Sequence, residues 1–147
     1  MSITVSHDLH LLGQHSDALL ARLDDATEMY DAIGQEMESR ILGRFETQTD
    51  PDGAAWHPWA QATIDHYPDD GHRKLLDRYG DMLRSVSHQA EKNRAIIGFG
   101  MPYETYHEWG TEIMPRRGLM TSDPETGELG QGDIDSILEI VSVFFDV

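Results

Sequence analysis

The clearest periodicity in the chain places Tyr30, Ile33, Met37, Ile41 and Phe45 three or four residues apart. This spacing predicts a helix through about Glu46, with Thr27 as its cap and an apolar stripe for the core or a subunit interface. Before it, Leu9, Leu12, Leu19 and Leu23 define an earlier helix capped by Ser6 or Asp8, and Ile3-Thr4-Val5 reads as a short first strand. Asp50-Pro51-Asp52-Gly53 stops the long helix, because Pro fixes φ and Gly accepts positive φ. A short helix over residues 61–67 and a second turn, Pro68-Asp69-Asp70-Gly71, come next. A helical turn over 75–83, interrupted at Gly80, completes the first half.

From Arg84 the period changes to two. Ser85-Val86-Ser87-His88-Gln89-Ala90 and Ala95-Ile96-Ile97-Gly98-Phe99-Gly100 read as strands of an antiparallel hairpin closed by residues 91–94. Pro102 starts a short helix over 103–109, which Gly110 ends, and residues 116–120 read as extended. Asp123-Pro124-Glu125-Thr126-Gly127 and Gly130-Gln131-Gly132 bracket a flexible loop over about 121–132. Asp133 then caps a last helix with Ile134, Ile137, Leu138, Val141 and Phe145 on one face. Helices, then sheet, then helix make an α+β fold: N-terminal helices and a C-terminal helix packed on a small antiparallel sheet.

A length of 147 residues fits a single domain spanning 1–147. The apolar run near the C-terminus is broken by Asp135, Ser136, Glu139 and Ser142, too short and too polar for a membrane span. The N-terminus carries no secretory signal pattern, so cytosolic folding is expected. With no cysteine, disulfides, thiolate nucleophiles and Cys-based metal sites are excluded. Eleven basic against 27 acidic residues give a formal charge of -16, which disfavours binding that depends on neutralising phosphates.

Candidate chemistry is sparse. His7 and His10 flank Asp8, and Glu108 follows His107, but no His-Glu-x-x-His spacing occurs among the eight histidines. There is no Gly-x-Ser-x-Gly elbow, no phosphate loop and no EF-hand register. No cofactor, metal or catalytic residue is therefore expected. The large aromatics carry more information. Trp56 and Trp59 flank a turn, and Tyr103, Tyr106 and Trp109 share one face of a short helix; each set either packs in the core or lies in an interface.

The landmarks also occur in a particular order. Arg40-Ile41-Leu42-Gly43-Arg44-Phe45 precedes Pro51-Asp52-Gly53-Ala54-Ala55-Trp56-His57-Pro58-Trp59, followed by Lys74-Leu75-Leu76-Asp77-Arg78-Tyr79-Gly80-Asp81. Ile97-Gly98-Phe99-Gly100, Pro102-Tyr103-Glu104-Thr105-Tyr106-His107-Glu108-Trp109-Gly110 and Pro115-Arg116-Arg117-Gly118-Leu119-Met120 complete the series. This ordered set resembles the phage virion morphogenesis family, the Mu-type and tail-completion proteins of contractile-tailed phages. The resemblance implies a non-enzymatic structural virion protein of the neck or upper tail, made in the host cytoplasm, that acts in tail completion or head-to-tail joining. It implies a ring, with hexameric symmetry suiting a tail tube. The implied partners are copies of itself, connector or head-completion proteins, and tail tube or tail terminator proteins.

Within such a ring, genomic DNA would pass without specific binding, and an acidic lining would not retain it. Asp123, Glu125, Glu128, Asp133 and Asp135 are the expected lumen-facing acids. Trp56, Trp59, Tyr103, Tyr106 and Trp109 are the expected interface aromatics, and Arg116 and Arg117 the expected contacts to an acidic neighbour. The alternatives are an acidic DNA mimic that inhibits a basic protein, and a small metal-dependent enzyme.

Overall fold

The structure, a computed structural model, describes residues 1–6 and 17–145. Leu9 and Leu12, which opened the first expected helix, lie outside the described residues, as do His7, Asp8 and His10. What is described there is α1 (Asp17–Asp24), preceded by β1 (Ser2–Ser6). The long helix α2 (Thr27–Thr47) follows, then the short α3 (Gln61–Asp65) and α4 (Asp81–Arg84), the hairpin β2 (Val86–Ala90) and β3 (Arg94–Phe99), α5 (Glu104–Trp109) and α6 (Gln131–Phe145). The fold is α+β, with one antiparallel sheet in the order β1-β3-β2.

Strand register decides which side chains meet α2. Ile3 lies opposite Ile97 and Val5 opposite Ala95, while His88 and Ala90 oppose the same two β3 residues from the other side. Because side chains alternate across a sheet, one face gathers Ile3, Val5, Val86, Ala90, Ala95, Ile97 and Phe99. This face packs onto the α2 stripe of Met29, Tyr30, Ile33, Met37, Ile41 and Phe45, all buried. Burying a side chain of this size stabilises by about 1.5–3 kcal/mol relative to leaving it in water. Burial also pushes the Tyr30 hydroxyl pKa up to about 12.

One polar side chain shares the inward face. His88 lies over Gly34 of α2, where an added Cβ would come within 2.2 Å of the imidazole. Its ring nitrogens bond to Glu38 Oε1 at 2.8 Å and Asp31 Oδ1 at 2.9 Å. Desolvation lowers the His88 pKa, but hydrogen bonds to the Asp31 and Glu38 carboxylates outweigh it and hold the group above its ordinary value.

Three helix starts differ from expectation. Residues 75–80, expected to be helical, form turns, and α4 begins only at Asp81. Thr27 is not the cap of α2; Asp25 Oδ1 accepts from both Thr27 N and Thr27 Oγ1, at 3.2 and 2.6 Å, and so serves the helix start itself. The last helix begins at Gln131, two residues before the expected cap Asp133. The Asp133 carboxylate instead turns inward, fully buried, to accept from Arg44 Nη2 at 2.5 Å and from Arg40 Nε at 2.6 Å. Arg44 Nη1 also donates to Leu119 O at 2.6 Å. This cluster fixes α6 against α2, because a buried charge left without its partner would be costly.

Candidate functional site

The segment 116–121 runs through the interior without a strand beside it, so its backbone donors need acceptors from elsewhere. Glu108 of α5 supplies them. Its Oε2 accepts from Leu119 N and Met120 N at 2.6 and 3.1 Å, and its Oε1 accepts from Thr121 N and Thr121 Oγ1 at 2.9 and 2.5 Å. One turn earlier, Glu104 is equally buried and pairs with the Met1 ammonium at 2.9 Å. Burial raises the Glu104 pKa, and the ammonium opposes the shift.

Placing Glu104 and Glu108 inward forces the opposite face of α5 outward. That face carries Tyr103, Tyr106 and Trp109, which are 40%, 59% and 46% exposed. The three aromatics form a ridge in solvent, not the packing cluster that their common face also allowed. Gly110 then ends α5 at φ 73°, a conformation that favours glycine, and the chain turns toward Ile113, which is 97% exposed. Tyr103, Tyr106, Trp109 and Ile113 are thus four large apolar side chains left in solvent around the end of α5.

Beside the ridge lies a surface groove of about 720 Å³, with walls from residues 57–82, α5 and the 113–117 turn. Trp59 and Tyr67 stack in it at 4.8 Å, and the guanidinium groups of Arg73 and Arg78 sit over Tyr67 at 5.3 and 5.7 Å. His107 also lines it. Desolvation and the nearby Arg117 charge lower the His107 pKa, and its buried Nδ1 has no hydrogen-bond partner among the described residues. Among the described residues no group of three or more His, Asp or Glu side chains is arranged to hold a metal ion.

The other residues singled out from the sequence fall in different places. Trp56 is buried, edge-on to Phe45 at 6.0 Å, with its indole N–H donating to Gly118 O at 3.0 Å. Arg117 is buried and donates to His57 O and Pro58 O, at 2.8 and 2.9 Å. Arg116 reaches Glu108 O and Thr121 O, at 2.7 and 2.6 Å. Both arginines therefore direct Nε and Nη2 to acceptors within the subunit.

Of the five acids, Asp133 is the buried partner of Arg40 and Arg44, whereas Glu125, Glu128 and Asp135 are exposed. Asp123 is half-buried and accepts from Glu125 N at 2.9 Å. The 121–132 segment, expected to be flexible, holds a bridge between Asp123 and Glu128 and a bond from Ser122 Oγ to Asp52 at 2.7 Å.

The inward carboxylates and the exposed Tyr79 and Ile113 were missed from sequence. A signal for the Glu pair existed: Glu104 and Glu108 stand four apart, opposite an aromatic face, just before a backbone run with no strand pattern of its own. Arg44 carried a similar signal, as a charged residue within the apolar stripe of α2.

A model of the phage virion morphogenesis family matches residues 8–139. The chain is 31% identical over 123 residues to "Putative capsid assembly protein G" of Escherichia phage Mu, covering 76% of this chain and 79% of that protein. No solved structure matches. No helix among the described residues is long and apolar enough to cross a membrane.

Proposed function

The chain belongs to the phage virion morphogenesis family, and from that membership we propose that it is a structural, non-enzymatic subunit of the phage neck or upper tail. It acts in tail completion or head-to-tail joining, and does so as a ring of identical subunits, with six suiting the symmetry of a tail tube. Connector or head-completion proteins lie on one side of the ring and tail tube or terminator proteins on the other. The observation that supports this reading is the inverted helix α5, which buries two glutamates and presents three aromatics to solvent. Aromatic side chains of this kind, seated in a partner's pocket, are the usual energetic centres of protein interfaces, at about 2 kcal/mol or more each.

The acidity fits a conduit. Glu125 and Glu128, exposed on the 123–128 turn, are the acids most free to face passing DNA. Arg116 and Arg117 contribute by holding the 116–121 segment and not by reaching a neighbour.

The test is complementation of a phage lacking this gene with Tyr106→Ala/Trp109→Ala, two exposed positions whose loss leaves the core intact. Particles are counted by electron microscopy. Separate full heads and tails are the expected product, and a normal yield of joined infectious particles would overturn the assignment of the ridge.

A further inference from the structure

Charge and apolar surface are distributed over this subunit in two complementary patches. Four of the eleven basic side chains, Arg73, Lys74, Arg78 and Lys92, have no carboxylate or carbonyl partner among the described residues. Three of these four belong to the groove or its rim. The groove's own acids are Asp77, hydrogen-bonded to the His72 imidazole at 2.9 Å, and Asp81, paired with the Arg84 guanidinium at 2.9 Å. In a chain of charge -16, the groove thus gathers Arg73, Lys74 and Arg78 beside exposed aromatics, three cations against one acid, Asp77, that no Lys or Arg pairs.

The second patch is the outer stripe of α6. Asp135, Leu138, Glu139 and Val143 recur at helical spacing, and all four are exposed, Leu138 and Val143 at 57% and 76%. Neither acid has a cationic partner among the described residues; Asp135 accepts only from Gln131 Nε2, at 2.7 Å. The opposite side of α6 is fixed to α2 by Asp133 and by buried Ile137, so the stripe cannot turn into the subunit's own core. The two patches share no residue.

We propose that the α6 stripe of one copy docks into the groove and aromatic ridge of the next, with Asp135 and Glu139 meeting Lys74 and Arg78 while Leu138 and Val143 cover the exposed aromatics. Two different patches that complement each other make a heterologous contact, which generates a ring when its rotation closes. The proposal rests on the ring reading above and specifies the chemistry of its subunit contact.

The experiment is native mass spectrometry of the full chain and of two charge reversals, Lys74→Glu/Arg78→Glu and Asp135→Lys/Glu139→Lys. All four positions are exposed, and matching far-ultraviolet circular dichroism and melting curves confirm folding. The wild type is expected as a closed oligomer, and each reversal is expected to weaken assembly about tenfold or more, because like charges then face each other. An equimolar mixture of the two variants offers complementary charge at both kinds of contact and is expected to reassemble as an alternating ring. A wild type that stays monomeric overturns the ring reading and this contact with it. A wild-type ring that both reversals leave intact, or a mixture that fails to reassemble, overturns this contact alone.

Discussion

Replacing Glu108 by alanine isolates the device that organises the site. The carboxylate is fully buried and accepts from three backbone N–H groups and the Thr121 hydroxyl, at 2.5 to 3.1 Å. The alanine cannot accept any of these bonds. Each stranded donor costs about 1–3 kcal/mol, so three backbone donors alone cost about 3–9 kcal/mol. Against a total stability of about 5–15 kcal/mol, that is severe. Arg116 adds little, since its guanidinium is 3.4 Å from the carboxylate and part-exposed. Glu108→Gln keeps one acceptor but turns an amide N–H₂ toward donors, so about half the loss, roughly 1.5–4.5 kcal/mol, is expected. Urea unfolding followed by tryptophan fluorescence measures both values. Protomer concentration must be held fixed, because assembly adds to apparent stability. An alanine variant within about 1 kcal/mol of wild type would show that Glu108 does not hold residues 119–121.

Three further outcomes follow from the packing of α2. Gly34→Ala is expected to destabilise by about 1–3 kcal/mol despite better helix propensity, because its Cβ would meet the His88 ring; a raised melting temperature would contradict this. Asp133→Ala leaves Arg44 buried without its carboxylate and is expected to cost about 3–5 kcal/mol, whereas Arg44→Met/Asp133→Leu together are expected to cost less than the single change; denaturant midpoints of the two variants decide it. His88 has a raised folded pKa, so its contribution is complete below its ordinary value of 6.5 and disappears as pH rises through the folded value. His107, with a lowered pKa, acts oppositely, losing stability as pH falls below 6.5. The difference between wild type and His88→Gln is therefore expected to shrink as pH rises from about 6 to 8, and parallel melting curves across that range would refute the charged cluster.

Several elements were legible because their signal is local. The α2 stripe follows from three- and four-residue spacing, and the hairpin follows from the change to alternation, with a polar turn between its strands. Even the inward position of His88 is implicit in that alternation, two residues from Val86 and two from Ala90. Resemblance carried the family, since the order of short motifs survives where each motif alone says little.

The sequence by itself determined the α+β class, the main helix, the hairpin and membership of a phage morphogenesis family. Tertiary structure decided the direction of the side chains on α5 and the fate of Asp133, Arg116 and Arg117. Those depend on where a buried backbone without a strand neighbour finds its acceptors, and on which charges a distant helix brings into contact. No periodicity records such pairings, which join residues 75 to 93 positions apart in the Arg44–Leu119, Arg44–Asp133 and Arg40–Asp133 contacts. Hydrogen-bond satisfaction in the interior outweighed the ordinary preference for burying aromatics and exposing glutamates, and left the aromatic ridge in solvent.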